Sequence, residues 1–253
     1  MSEIWRNEME ISVQDIADMI DHSLLRPELT DADVREGCRI ARENKCISVC
    51  VKPADVRLST SELAGSKVLV TTVVGFPHGS STTAAKLCEA SEALADGAVE
   101  LDMVLNIGRL RSGELGYVED EIRRICELAH GAGAQVKVIL ENHYLSKEQK
   151  VSACTLSERA GADFVKTSTG FAATGATIAD LKLMRASCSS RVKIKAAGGV
   201  RTLDDALAVR AVGTCRFGAT QTAAILADAR DRAARGAIFP AVDPVRLSSE
   251  KSS

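Results

Sequence analysis

The chain has 253 residues, 45% of them hydrophobic, 26% charged and 3% aromatic, with a net charge of −2. That balance suits a globular enzyme-sized domain and lacks both the basic footprint of a nucleic-acid or membrane-surface binder and the stacking platform of a single-strand binder. No apolar stretch approaches the roughly 18 residues of a membrane span, and Met1 to Glu10 is too polar for a signal peptide.

In chain order, short apolar, β-branched runs recur. The first lies near Met19 to Leu24, followed by Ile47–Val51, Val68–Val74, Val99–Val104, Val136–Leu140, Asp163–Thr167, Val192–Lys195 and Thr214–Phe217. Their spacing of roughly 20–35 residues is that of a βα unit. Between them lie helical stretches. Thr83 to Asp96 places Ala84, Leu87, Cys88, Ala90 and Leu94 close to one stripe. Gly97, Gly133 and Gly161 read as helix stops, and Thr202, followed by Asp204 and Asp205, reads as an N-cap. Eight strands alternating with helices, with no linker, predict a single α/β domain over 1–253: a closed (β/α)8 TIM barrel. A doubly wound sheet fits less well, because its glycine-rich turn would follow the first strand and here the glycines come late. Polar tails are expected at about 1–10 and 247–253.

The eight cysteines, at 38, 46, 50, 88, 126, 154, 188 and 215, form no Cys-x-x-Cys pair. They read as reduced thiols of a cytoplasmic protein, and neither a metal nor a cofactor is expected.

Alternation along the strands gives the charges a direction. Glu100 and Asp102, Lys137 and Glu141, Lys166, and Lys193 and Lys195 all fall on the inward side of their runs. Asp102, Glu141, Lys166 and Lys195 come late in their strands, toward the C-terminal face where barrel active sites lie. Glu100, Lys137 and Lys193 come earlier and read as structural pairs or as the barrel floor. An inward Lys–Asp or Lys–Glu pair is often only structural; two lysines and two acids at one mouth favour chemistry.

A lysine attacks a carbonyl only as the free amine, whereas its unperturbed pKa is about 10.4. Burial and a second nearby cation both favour the neutral form. The turns Ser168-Thr-Gly170, Gly198-Gly199 and Gly218-Ala-Thr220 follow strands six, seven and eight. Exposed backbone N–H groups there suit a phosphate, and the loops after strands seven and eight are the usual phosphate site of this architecture.

Several segments together resemble the 2-deoxy-D-ribose-5-phosphate aldolase family of class I aldolases. They are Ile20-Asp-His-Ser-Leu-Leu25, Ser48-Val-Cys-Val-Lys-Pro53, Thr72-Val-Val-Gly-Phe-Pro-His-Gly79, Glu100-Leu-Asp-Met-Val-Leu-Asn-Ile-Gly108, Val136-Lys-Val-Ile-Leu-Glu141, Phe164-Val-Lys-Thr-Ser-Thr-Gly-Phe171 and Ile194-Lys-Ala-Ala-Gly-Gly-Val-Arg-Thr202. The resemblance implies Lys166 as the Schiff-base lysine, Lys195 as its electrostatic partner and Asp102, with a water, as proton shuttle. It implies cleavage of 2-deoxy-D-ribose 5-phosphate to acetaldehyde and D-glyceraldehyde 3-phosphate in deoxyribonucleoside catabolism. Gly170, Gly198 and Gly199 match its phosphate-loop glycines, Asp21, Ser23 and Leu25 a segment near the substrate, and Cys50 a cysteine close to the site. A homodimer is expected, with only small molecules as other partners.

Two departures stand out. Many members carry a Gly-x-Ser-Ser turn after strand eight, where this chain has Gly218-Ala-Thr220-Gln221; some end in a tyrosine, which this tail lacks. The first motivates an alternative, a related Schiff-base aldolase with a different or unphosphorylated acceptor aldehyde. A more distant alternative is a non-catalytic barrel that binds a phosphorylated metabolite. His143 reads as a satisfied loop residue rather than a substrate contact.

Overall fold

The β-branched runs become eight parallel strands that pair in sequence order and close on themselves, β8 returning to β1. They are β1 (Ile20–Leu24), β2 (Ser48–Val51), β3 (Leu69–Val74), β4 (Glu100–Val104), β5 (Gln135–Ile139), β6 (Phe164–Lys166), β7 (Lys193–Ala196) and β8 (Arg216–Ala219). The structure is a computed structural model and describes residues 11–236; the tails expected at about 1–10 and 247–253 lie outside the described residues. Closure leaves no open sheet edge, and helices cover the outside, as parallel sheets require.

The helices are α1 (Val13–Ala17), α2 (Asp31–Glu43), α3 (Val56–Glu62), α4 (Thr83–Ala95), α5 (Ile107–Arg111), α6 (Leu115–Gly131), α7 (Lys147–Arg159), α8 (Ile178–Ser187), α9 (Leu203–Ala211) and α10 (Thr222–Ala234). Their starts are written locally. Thr30, Ser146 and Thr202 each close a capping box with Asp33, Gln149 and Asp205, each worth about 1 kcal/mol. Their burial follows the helical period: in α2 the buried residues are Val34, Gly37, Cys38 and Ala41. Among the described residues, no helix is long and apolar enough to cross a membrane.

Outward strand residues such as Leu101, Met103, Val136 and Val138 are fully buried against the helix layer. The barrel interior is different. It holds Asp21, Glu100, Asp102, Lys137, Lys166 and Lys195, each at most 3% exposed. Strand register brings them level: Asp102 pairs with Lys137 across β4–β5, and Lys166 with Lys195 across β6–β7.

One element is displaced from expectation. β8 begins at Arg216 rather than Thr214, because Gly213 (φ 85°) and the Thr214 amide, bonded to Val209 O, still belong to the end of α9. Gly218 therefore lies within β8, and the turn proper starts at Thr220.

Candidate active site

The two late lysines and the late aspartate converge on one carboxylate oxygen. Lys166 Nζ and Lys195 Nζ each donate to Asp102 Oδ2 at 2.7 Å. Asp102 Oδ1 accepts from Lys137 Nζ at 3.0 Å. One acid thus serves three ammonium groups, which is why their protonation differs.

Burial pushes the Lys166 amine down and the adjacent Lys195 cation adds to that; the pull of Asp102 does not restore it, so its pKa lies below the ordinary lysine value. Lys195 is equally buried, but Asp102 and Asp21 together outweigh burial and hold it above the ordinary value. Burial alone would raise the Asp102 carboxyl, yet Lys137, Lys166 and Lys195 hold it well below the usual carboxylate range. Of two neighbouring lysines, Lys166 is therefore the one that more readily loses its proton, and Lys195 remains the fixed cation.

Below this triad the charges continue. Lys195 also pairs with Asp21. Asp21 Oδ1 accepts from Arg216 Nη1 at 2.5 Å and from Ser48 Oγ at 2.8 Å. Arg216 reaches Glu100 as well, and Glu100 Oε2 accepts from Lys137 Nζ at 2.5 Å. Glu100 and Lys137 pair with each other beneath the triad, at the depth their early strand positions predict. Lys193 sits at the floor beside the Phe164 ring, 5.2 Å from its centroid.

Above the triad opens a cavity of about 370 Å³ at the C-terminal ends of the strands. Lys166 and Lys195 line its base, together with Asp21, Ser23, Leu25 and Cys50. Burial pushes the Cys50 thiol up to about 11, so it is a neutral wall at neutral pH. Gly170, Gly198, Gly199, Gly218 and Thr220 line the cavity too. Gly170, Gly198 and Gly199 have φ of 89°, 75° and 105°, a region favouring glycine. The turns after β6 and β7 also touch through bare backbone: a Cβ on Gly175 would lie 2.1 Å from Gly198 O.

Two expected residues do not belong to this cavity. Gln221 is exposed, at the entry to α10, and does not line it; the chain turns there so that Thr220 faces the cavity and Gln221 faces away. Glu141 adopts φ 52°, ψ 67°, which swings its side chain off the strand alternation. It bonds Thr169 N at 3.1 Å and the Thr169 hydroxyl, and lines a neighbouring cavity with Tyr144 and Phe171. Glu141 thus positions Thr169, which lines the main cavity. His143 is satisfied in its loop, Nδ1 lying 2.9 Å from Thr174 Oγ1.

Two cationic lining residues, Arg26 and Arg201, were not singled out from the sequence. Arg201 follows the Gly198-Gly199-Val200 turn directly, and a cation beside a glycine turn is a legible anion signal. Arg26 lies just past β1, beside β8, with which β1 pairs through Asp21 and Gly218.

Residues 16–226 match the family described as DeoC/LacD family aldolase. The chain is 46% identical over 224 residues to a deoxyribose-phosphate aldolase of Rhodopirellula baltica, covering 88% of this chain and 93% of that one. It is 49% identical over 217 residues to one of Bacillus cereus, covering 85% and 97%. Among solved structures, a deoxyribose phosphate aldolase from Aeropyrum pernix, described as tetrameric, superposes with a TM-score of 0.81 at 31% identity, covering 87% of this chain and 92% of that one.

Proposed function

Because the chain belongs to the DeoC/LacD aldolase family, we propose that it is a deoxyribose-phosphate aldolase working through a Schiff base on Lys166. The observation that carries this reading is the shared Asp102 oxygen: of the two lysines bonded to it, only Lys166 is biased toward the free amine. The neutral Lys166 Nζ adds to the C1 aldehyde of open-chain 2-deoxy-D-ribose 5-phosphate. The C–N bond forms, and loss of water from the carbinolamine leaves a protonated imine. Cleavage of C2–C3 sends its electron pair into the imine, giving an enamine, while the C3 hydroxyl loses its proton and departs as D-glyceraldehyde 3-phosphate. Protonation at C2 and hydrolysis then release acetaldehyde and restore the amine.

Asp102, with a water, is the proton carrier. Its carboxylate is a weak base while three ammonium groups surround it, and a stronger one once Lys166 has given up its charge. The glycine turns at Gly170 and Gly198–Gly199, with Thr220, offer the phosphate its backbone and hydroxyl donors, and Arg26 and Arg201 add positive charge at the same rim. Since Gln221 lies off the cavity, its lack of a hydroxyl removes little from this cradle, and the phosphorylated substrate is preferred over the unphosphorylated acceptor. The enzyme acts in the cytoplasm, in deoxyribonucleoside breakdown, as a homodimer.

The test is borohydride trapping with acetaldehyde, followed by peptide mapping, and rates on deoxyribose 5-phosphate against deoxyribose. The expected result is an adduct on the peptide containing Lys166 and a clear preference for the phosphorylated sugar. Equal rates would favour the unphosphorylated acceptor, and ligand binding without any adduct would leave only a binding barrel.

A further inference from the structure

The charges under Lys166 form a closed ring. Starting at Asp102, the contacts run to Lys195, Asp21, Arg216, Glu100, Lys137 and back to Asp102. Acid and base alternate at every step. The ring holds three acids and three bases, so it is neutral by itself. Lys166 hangs from it, bonded among the described residues only to an oxygen of Asp102 that Lys195 already uses. An ammonium at position 166 gives the buried cluster a net charge of +1; a free amine leaves it balanced. Burying net charge is costly, so the balance of the whole ring, not Lys195 alone, favours the amine.

Arg216 closes this ring. It is 7% exposed, lies at the start of β8 and does not line the catalytic cavity. Its guanidinium spans two acids that would otherwise share two lysines, and a planar fork suits that bridging. We infer that Arg216 is a positioning residue for catalysis: by holding Asp21 and Glu100 in a neutral ring, it keeps Lys166 as the surplus cation and therefore as the nucleophile. This rests on Lys166 being the Schiff-base lysine.

The groups around Lys166 are consistent with that assignment. From β4 it faces Asp102, from β7 Lys195, and from β2 the neutral Cys50 thiol. Lys137 of β5 and Asp21 of β1 reach it through the ring. His22, next along β1, points outward to Thr222 and takes no part. Around Arg216 the charged groups are Asp21, Glu100 and, further off, Asp102. Its guanidinium carbon also lies 5.9 Å from the Phe164 ring centroid, a ring that Lys137 and Lys193 share at 5.6 and 5.2 Å.

Without the Arg216 charge the ring is −1, the Lys166 ammonium is stabilised, and more alkaline solution is needed to free the amine. Without the Glu100 charge the ring is +1 and the shift is opposite. The experiment is the pH profile of kcat/KM for deoxyribose 5-phosphate cleavage by the full-length enzyme, alongside the pH dependence of acetaldehyde trapping at Lys166. Arg216→Gln should move the acid limb of both curves upward by about one pH unit. Glu100→Gln should move it downward, Arg216→Lys should leave it in place, and the double variant Arg216→Gln/Glu100→Gln should bring it back. A uniform loss of rate in Arg216→Gln with the limb unmoved would overturn the proposal and leave Arg216 a structural residue. If Arg216→Gln does not fold, an unmoved limb in Glu100→Gln overturns it equally. Absence of any adduct at Lys166 in the unaltered enzyme would instead remove the Schiff-base reading itself.

Discussion

Two buried lysines of this protein have opposite fates. Lys86, on α4, is fully buried, and its Nζ donates to Glu121 Oε2 and to Val104 O, both at 2.8 Å. Burial pushes its pKa down, with Glu121 opposing, yet it has its own carboxylate and no opening onto the cavity. Lys166 is nearly as buried but shares its carboxylate oxygen with Lys195 and lines a cavity. Burial with a depressed pKa is thus common to a helix-packing residue and the proposed nucleophile. What separates them is the count of acids per lysine and access to a ligand.

The largest expected contrast comes from replacing each lysine. Lys166→Met should lower aldol cleavage by at least about a thousandfold while leaving the unfolding midpoint unchanged or higher, since an apolar side chain of similar length removes a buried surplus charge. Lys86→Met should do the reverse. It strands Glu121 without its cation between α4 and α6, which should cost about 3–5 kcal/mol in urea unfolding, while the folded fraction still forms the Lys166 adduct. A Lys86→Met enzyme of full stability but no activity would break the comparison.

Lys195→Leu sharpens it further. Removing the neighbouring cation stabilises the Lys166 ammonium, so the acid limb of the rate profile should move to higher pH, and activity near pH 7 should fall about 10–100-fold. Part of that loss should return on raising the pH. A profile with its acid limb unmoved would remove Lys195 from the tuning of Lys166.

The fold was readable because its signals are local. β-branched runs at βα spacing placed the strands to within about two residues, and Thr202 and the Thr83–Asp96 stripe placed two of the helix starts. Alternation then placed Asp102, Lys166, Lys195, Glu100 and Lys137 inside, where they lie. It failed at Glu141, where a left-handed backbone breaks the alternation; Gln221 came in through the family's turn pattern, and the turn into α10 takes it off the cavity. Asp21 emerged only from the family resemblance, since a strand beginning Ile20-Asp-His carries no strong inward signal. Arg216 was missed because its role exists only after β8 meets β1, an adjacency of residues 195 apart in sequence.

The backbone contact between Gly175 and Gly198 has a practical consequence for changing substrate range. The two loops that carry the glycine turns abut with no side chain between them: Ala176 N bonds to Ala197 O and Gly198 O at 3.0 and 2.8 Å. Neither loop can be resculpted alone, because a methyl group at Gly175 already collides with the other. Libraries aimed at new acceptor aldehydes are therefore best confined to side chains at Arg26, Phe171, Arg201 and Thr220, which surround the opening and leave the lysines beneath untouched.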